Sequence, residues 1–426
     1  MNPEEVFKRY DIRGKYPEEI NEEFAENLGK SLGTFIAKNY SEKVVVCRDN
    51  KDTSKPLKQA LIEGLNSTGL KVVDVGVGPT DYAAWCGNKE SCVSVQVTSS
   101  HMPLNFNGFK FMYPEGNGFV NEDLYTVQDL FRDEEFVELE EELKEKKELL
   151  NEYKKELISF SSDIAEDFDK KVVFQSMGGT GRILPELIED LGLEVVDISE
   201  EKTPYMDPPN PKPDNLEKLV QKVEEENAEI GIANDLDADR ITVYYKDRFL
   251  SGDEIFGILA QLVEGDIVAS IDTSQALEEF AEVDYTRVGD PFVMDKALDI
   301  DAELAGEPNG HYSFTEFVPY NSGILTALIL TGLDIEERLE ALPEYFIERE
   351  SIETGNRHEL IKFLNSDIED EKLISDLDGV KFEEGNAAVL VRPSGSSPKV
   401  RVISEAKTEK DAKKGLEATK DRINQF

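Results

Sequence analysis

Basic side chains are scarce in this chain of 426 residues: 47 Lys and Arg stand against 90 Asp and Glu, a formal net charge of −43. A surface of that sign excludes binding to phosphate backbones, which takes a Lys/Arg face. It equally excludes docking on anionic membranes. Long apolar runs are missing too. The longest, such as residues 323–330, fall far below the ~20 residues of a membrane span. Residues 1–10 carry Glu4 and Glu5 and no apolar segment, so no secretory signal is expected. Cysteine is limited to Cys47, Cys86 and Cys92, an odd set without metal spacing. That usage fits a reducing, cytoplasmic compartment.

What remains is a globular composition, with 39% hydrophobic and 9% aromatic residues. At roughly 100–200 residues per domain the length implies about two to four domains. An acidic surface also keeps a protein hydrated at high salt, which fits a salt-accumulating host. Lysine usage argues the other way, with 33 Lys against 14 Arg.

The chain repeats itself. Residues 43–47 (KVVVC) form an apolar run, followed by a polar loop, helical apolar spacing over 56–65, and GLKVVDV from Gly69. The order recurs as KVVF at 171–174, a glycine loop, a helical stretch over 184–191, and GLEVVDI from Gly192. A weaker third copy runs from Asp266 to Gly289. Each unit reads strand–loop–helix–strand, so the fold class is α/β, and the copies are too unequal for a solenoid. We expect three related mixed α/β domains around a central cleft, plus a smaller C-terminal α+β domain. Loops after such strands gather at one end of the sheet, where ligands bind. Residues 133–150, rich in Glu and Lys, read as a solvated linking helix. The expected domains are therefore 1–150 with that helix, 151–251, 252–342 and 343–426. In the last, residues 387–392 and 400–404 alternate as strands and 406–424 read as a helix.

Four loops carry chemistry. Asp235, Asp237 and Asp239 alternate between two apolar strands, and alternate residues of an extended segment point to one side. Three hard oxygen ligands with open positions suit Mg²⁺. A calcium hand fails, because its turn glycine would fall at Arg240 and its last carboxylate at Lys246. Thr98, Ser99, Ser100, His101, Met102 and Pro103 follow an apolar strand, with Asn107, Gly108, Phe109 and Lys110 close behind. A serine beside a histidine can serve as nucleophile or phosphoryl carrier, although such a stretch alone is more often a turn. Gly306, Glu307, Pro308, Asn309, Gly310 and His311 bracket a carboxylate, an amide and an imidazole between glycines, groups that suit sugar hydroxyls. The histidines number three, and two of them lie in these loops. Finally, Arg392, Ser394, Gly395, Ser396, Lys399 and Arg401 gather cations, hydroxyls and backbone N–H groups into an anion site. It is not a Walker loop, because the GxxxxGK[ST] spacing is absent.

In this order the four loops resemble the α-D-phosphohexomutases, the phosphoglucomutase/phosphomannomutase superfamily. The resemblance spans essentially the whole chain and begins with YDIRG at Tyr10–Gly14's five positions. TSSHMP with NGFK is similar to the family's phosphoserine loop, DLDADR to its metal loop, GEPNGH to its sugar loop, and RPSGSSPKVRV to its phosphate loop. Departures are Ser99 for Ala, Met102 for Asn, Leu236 for Gly, Asn309 for Ser, Ser322 for Asp and Ser397 for Glu. Gly178-Gly179 also stands for Asn-Gly.

The resemblance implies a mutase that interconverts hexose 1-phosphate and hexose 6-phosphate, of mannose and/or glucose. It would pass through a phosphoserine and a bisphosphorylated sugar. Ser100 would carry the phosphoryl group and share Mg²⁺ with Asp235, Asp237 and Asp239. Arg13, His101, Lys110 and Arg240 would neutralise charge or move protons. Tyr10, Glu307, Asn309, His311, Arg392, Ser394, Gly395 and Ser396 would bind substrate. Partners would be hexose phosphates and the sugar bisphosphate, with no nucleic acid and no membrane. A phosphoglucosamine mutase, or a non-catalytic paralogue that binds sugar phosphates, is the alternative.

Overall fold

In the computed structural model, which describes residues 5–137, 139, 144–165, 168–199, 207–394 and 398–426, the repeated units become four sheets. The first unit runs β1 (Ile12–Lys15), α1 (Glu22–Asn39), β2 (Lys43–Arg48), α2 (Ser54–Asn66), β3 (Lys71–Val77), α3 (Thr80–Glu90), β4 (Ser94–Val97), β5 (Phe106–Met112), α4 (Asn121–Asp133) and β6 (Lys144–Lys146). The second runs α5 (Leu150–Ile164), β7 (Lys171–Gln175), α6 (Leu184–Asp190), β8 (Glu194–Asp197), α7 (Glu217–Glu226), β9 (Ile230–Asn234), β10 (Ile241–Tyr245) and β11 (Arg248–Phe249). The third runs α8 (Gly252–Ala260), β12 (Ile267–Ser270), β13 (Val283–Thr286), α9 (Asp290–Asp299), β14 (Leu304–Glu307), β15 (His311–Phe314), α10 (Gly323–Thr331) and α11 (Ile335–Glu340). The last runs β16 (Phe346–Glu353), α12 (Arg357–Asp367), β17 (Leu373–Ser375), β18 (Val380–Glu384), β19 (Ala387–Pro393), β20 (Lys399–Ala406) and α13 (Glu409–Ile423).

The first three sheets share a plan. Their strand orders are β1-β5-β4-β2-β3-β6, β11-β10-β9-β7-β8 and β13-β12-β14-β15. In each, a parallel strand returns through an antiparallel hairpin: β4–β5, β9–β10 and β14–β15. The inner parallel strands are buried on both faces, as helix-covered strands must be, which explains runs such as VVVC without alternation. The fourth sheet, β16-β20-β19-β18-β17, is antiparallel throughout. Its helix α13 starts where Thr408 Oγ1 accepts the Asp411 amide.

The linking helix expected over 133–150 is not formed among the described residues. Helix α4 stops at Asp133 with Glu134 in the left-handed region, and Lys144–Lys146 is a strand at the sheet edge against β3. The stretch has no apolar stripe to hold a helix on a core, whereas charged side chains are well tolerated on an edge strand.

The apolar run at 323–330 becomes α10, buried at every residue, as an all-apolar helix must be. It packs against α5, α6, β9, β10 and β15 in a core that joins the first three units. The cysteines are free and buried, and burial pushes Cys92 up to about 11. Among the described residues no helix is long and apolar enough to cross a membrane.

Three units meet at Asp81, the second residue of α3. Its fully buried carboxylate accepts from Tyr153 of α5 at 2.6 Å and neighbours Ser322 at the start of α10. Burial lifts this carboxyl to about 6, against the pull of those hydroxyls. A raised carboxyl pKa favours the folded state below about pH 4, and that contribution is lost as pH rises through the folded value. Asp81→Asn should therefore gain stability relative to the native chain between about pH 4 and pH 6, by up to roughly 3 kcal/mol. Urea unfolding at each pH reads the difference; a constant offset across the window would refute the buried, protonatable Asp81.

Candidate active site

The β4–β5, β9–β10 and β14–β15 turns each hold one of the singled-out loops. The serine loop joins β4 to β5, the aspartate loop joins β9 to β10, and the glycine-bracketed loop joins β14 to β15. All three stand at the C-terminal ends of parallel strands, where open α/β sheets bind ligands.

Ser100 sits in the left-handed region at φ 50°, with its amide held by Thr98 Oγ1 at 2.9 Å. Its hydroxyl donates to Asp235 Oδ2 at 3.2 Å and stands 3.2 Å from His101 Nδ1. Burial, together with Arg240 and Arg13, presses the His101 pKa far below the ordinary imidazole value, so the ring is neutral. The loop rests on Lys51, a residue sequence reasoning passed over. Its buried ammonium donates to Ser99 Oγ at 3.1 Å, Leu104 O at 2.9 Å and Phe106 O at 2.5 Å.

Asp235, Asp237 and Asp239 are buried, with carboxylate oxygens within 4.8 Å of one another. They converge through a turn, not along an extended segment as expected: Ala238 takes φ 57° and its amide bonds Asp235 O at 3.2 Å. Lys110, on β5, reaches Asp237 Oδ2 at 2.8 Å and Asp239 Oδ2 at 2.5 Å. Burial works against its charge, and those two carboxylates outweigh it, so the ammonium is held protonated. Thr80, also unforeseen, donates its hydroxyl to Asp237 Oδ2 at 2.7 Å from the start of α3. Burial, then Asp239 and Asp237, raise the Asp235 pKa well above the carboxylate range. Asp237 Oδ1 is buried without a hydrogen-bond partner. Three converging hard oxygens, mutual repulsion and a bare buried oxygen fit a divalent cation.

Around these lie the cations. Arg13, on β1, is held by Asp11 at 2.5 Å. Arg240 gives its amide to Asp235 Oδ1 at 3.2 Å and its Nε–H to His311 Nε2 at 3.0 Å. Glu307 accepts from the Gly289 amide at 2.8 Å and faces His311 Nδ1 at 3.4 Å. Asn309, exposed at the turn, spends its amide on Glu307 at 3.3 Å and its oxygen on the His311 amide at 3.2 Å. Tyr10 packs edge-on against Phe292, with ring centroids 6.4 Å apart, beside Gly289. Asp290 joins Glu307 and His311 in a second cluster that sequence reading did not foresee.

The fourth loop is placed differently. Arg392 is nearly buried and already paired, with Asp378 at 2.9 Å and with Asp272 of the third unit at 3.7 Å. Asp378 Oδ2 also stands 3.4 Å from the Val288 amide, so this group ties the last unit to the third. Ser394 is buried and its carbonyl accepts from Arg357 at 2.7 Å. Gly395, Ser396 and Ser397 lie outside the described residues. The third histidine, His358, is exposed on α12.

Sequence models of one family match the chain in four consecutive stretches. They are the phosphoglucomutase/phosphomannomutase alpha/beta/alpha domain I over 4–138, domain II over 148–248, domain III over 251–345, and the C-terminal domain over 357–422. The chain belongs to the phosphoglucomutase/phosphomannomutase family. A phosphoglucomutase/phosphomannomutase of Thermococcus kodakarensis is 33% identical, over 97% of this chain and 97% of its own. A probable phosphoglucosamine mutase of Methanosarcina acetivorans is 30% identical, over 95% of this chain and 96% of its own. A crystal structure of a phosphoglucomutase/phosphomannomutase family protein from Burkholderia thailandensis matches with a TM-score of 0.86 at 26% identity, covering 99% and 98% of the two chains.

Several departures from the family's motifs have local partners. Ser99 receives Lys51. Leu236 is buried and its carbonyl accepts the Thr180 amide at 2.8 Å. Gly179 must lack a side chain there, because a Cβ would lie 2.3 Å from Leu236 O. Ser322 accepts the Leu325 amide at 3.0 Å as the cap of α10.

Lys51→Met should leave three acceptors of the serine loop without their donor, at about 1–3 kcal/mol of local stability. Hydrogen exchange of residues 99–106 should quicken while α10 stays protected. Unchanged exchange in that loop would show that Lys51 does not hold it.

Proposed function

We propose that this chain is a phosphohexomutase that interconverts hexose 1-phosphate and hexose 6-phosphate, of mannose, glucose or both. The observation that carries the reading is Ser100: a buried hydroxyl 3.2 Å from Asp235, at the meeting point of three carboxylates, Lys110, Arg13 and Arg240. Such a site suits storage of a phosphoryl group and its transfer to a sugar.

Ser100 rests as phosphoserine. Asp235, Asp237, Asp239 and the phosphoserine would hold Mg²⁺, which would supply positive charge to the phosphoryl group. Arg13, Lys110 and Arg240 spread the remaining charge, since phosphoryl transfer is mostly positioning and neutralisation. The Oγ–P bond of Ser100 breaks as the free sugar hydroxyl bonds the phosphorus. That hydroxyl's proton passes by way of His101 or Asp235 to the departing serine oxygen, which leaves Ser100 a bare hydroxyl and the sugar bisphosphorylated. The intermediate turns over in the cleft and its other phosphate returns to Ser100. Two acceptors then stand ready for the serine proton, Asp235 Oδ2 and the lone pair of neutral His101. Lys110, held protonated, acts as a cation and proton donor. Glu307, His311, Asn309 and Tyr10 hold sugar hydroxyls. Arg392, Ser394, Gly395 and Ser396 hold the distal phosphate, and the last unit opens and closes to admit substrate.

Ser100→Ala should abolish turnover and leave the fold intact, because a loop hydroxyl adds little to a core. Intact-mass measurement should find one phosphate on the native chain, on Ser100, and chelation should stop turnover until Mg²⁺ returns. Near-native activity of the variant would end the phosphoserine assignment. Assay of mannose, glucose and glucosamine phosphates side by side tests the sugar; glucosamine alone being turned over would favour the amino-sugar reading that the Methanosarcina relative suggests.

Arg392 should contact only the non-reacting phosphate, in ground and transition state alike, so Arg392→Ala should raise KM at least about tenfold with a smaller loss in kcat. Asp378 competes with that phosphate for the same guanidinium. Asp378→Asn should therefore lower KM several-fold and leave a hexose without the distal phosphate unaffected. A raised KM for Asp378→Asn would instead make Asp378 a group that positions the arginine.

A further inference from the structure

The serine loop stands near one edge of the first sheet. Toward the opposite edge, where β2, β3 and β6 end, lies a cavity of about 860 Å³. Six cations line it: Arg48, Lys55, Lys58, Lys144, Lys146 and Lys147. The lining carboxylates are Asp74 and Glu148. This reverses the balance of a chain with 90 acidic and 47 basic residues.

Among the described residues most of that charge has no carboxylate partner. Asp74 is taken by Lys58 and by the Gly76 amide at 3.0 Å. Lys147 is paired with Glu90 at 2.6 Å. Lys144 meets the Gln59 side-chain carbonyl at 3.3 Å, and Arg48 donates to Asp49 O at 2.6 Å. Among the described residues, Arg48, Lys55, Lys144 and Lys146 have no carboxylate within ion-pair distance. Like charges held together repel, and on an acidic surface nearby carboxylates are the ordinary remedy. Among the described residues the remedy is missing at four of six positions.

The rest of the wall is apolar. Val77 is exposed at 37% and half-buried Leu150 lies beside it, over the buried Val75 and Tyr82. The volume lies within the about 300–1,000 Å³ of small-molecule pockets and far exceeds a single phosphate. A macromolecular polyanion would meet the acidic surface beyond the rim, which leaves a small one.

We propose that this cavity binds a nucleoside polyphosphate. Arg48, Lys55, Lys144 and Lys146 take the phosphates, bidentate where Arg48 is concerned, and Val77 and Leu150 take the flat base. Nothing in this assignment depends on the mutase chemistry of the three loops.

Calorimetric titration of the full chain with ATP, in the presence of saturating glucose 1,6-bisphosphate to fill the catalytic cleft, tests it. Saturable binding is expected, with inorganic tripolyphosphate several-fold weaker. The triple variant Lys55→Ala, Lys144→Ala, Lys146→Ala should bind ATP at least tenfold more weakly and keep its mutase rate. These lysines are exposed, so folding should survive; Lys146→Glu alone should act in the same direction. Absence of saturation up to about 5 mM ATP, binding indifferent to the lysines, or binding lost when the bisphosphate is added would overturn the site. Tripolyphosphate as tight as ATP would overturn the nucleoside assignment.

Discussion

Three carboxylates buried within 4.8 Å of one another are the constraint around which the molecule is arranged. At an effective dielectric of about 20, each pair at such a spacing repels by roughly 3 kcal/mol. No single unit relieves that repulsion. Lys110 comes from the first sheet, Arg240 from the aspartate hairpin itself, and Thr80 from the start of α3. Helix α10 closes the loop from the third unit, where the Gly323 amide bonds Ala238 O at 3.0 Å. A Cβ on Gly323 would lie 2.4 Å from Arg240 O, so only glycine admits this approach. The aspartate loop thus draws its partners from three units. Docking, in turn, brings Ser100 of the first unit against Asp235 of the second.

The shared sheet plan explains how one ancestral shape supplies three chemistries. A parallel strand followed by an antiparallel return places a short turn at the ligand-binding end of each sheet. Into that turn the first unit puts a hydroxyl, the second three carboxylates, and the third a carboxylate with an imidazole. The scaffold fixes position and the turns carry function, as loops on rigid elements generally do. The fourth, antiparallel sheet contributes Arg392 from its third strand in chain order after β16, opposite Arg401 in the register, and reaches the third unit through Asp272 and Asp378.

Much of this was legible in the sequence, because the signals are local. Duplicated GLxVVD segments betray the repeat, and each loop motif sits between short apolar strands that periodicity can find. What sequence could not provide is partnership across distance. Lys51 reads as one more lysine after a strand, and only the fold turns its ammonium under Ser99. Thr80 follows a Gly-Pro pair and reads as a helix start, yet its hydroxyl reaches a residue 157 positions away. Residues 144–146 look helical by composition, and the sheet edge decides otherwise. The convergence of the three aspartates was anticipated for the wrong local reason, since a left-handed Ala238, not an extended strand, brings them together.

A chain of net charge −43 that takes up phosphates must hold its cations in some reserve. The reserve is carboxylate: Lys110 sits on Asp237 and Asp239, Arg13 on Asp11, and Arg392 on Asp378. A sugar phosphate arriving at the proposed mutase site would therefore exchange with a resident anion, unlike a polyphosphate at the lysine-lined cavity. Exchange of one anionic partner for another returns less free energy than filling an empty site, so binding is moderated. Moderation is an advantage for a reaction whose intermediate carries two phosphates and has to let go of both to turn round. Tight, uniform binding would deepen the ground state and slow that turn without lowering the barrier to transfer. The same acidic pairs that keep the ligand-free protein compact thus keep its grip on phosphate loose enough for a mutase to work.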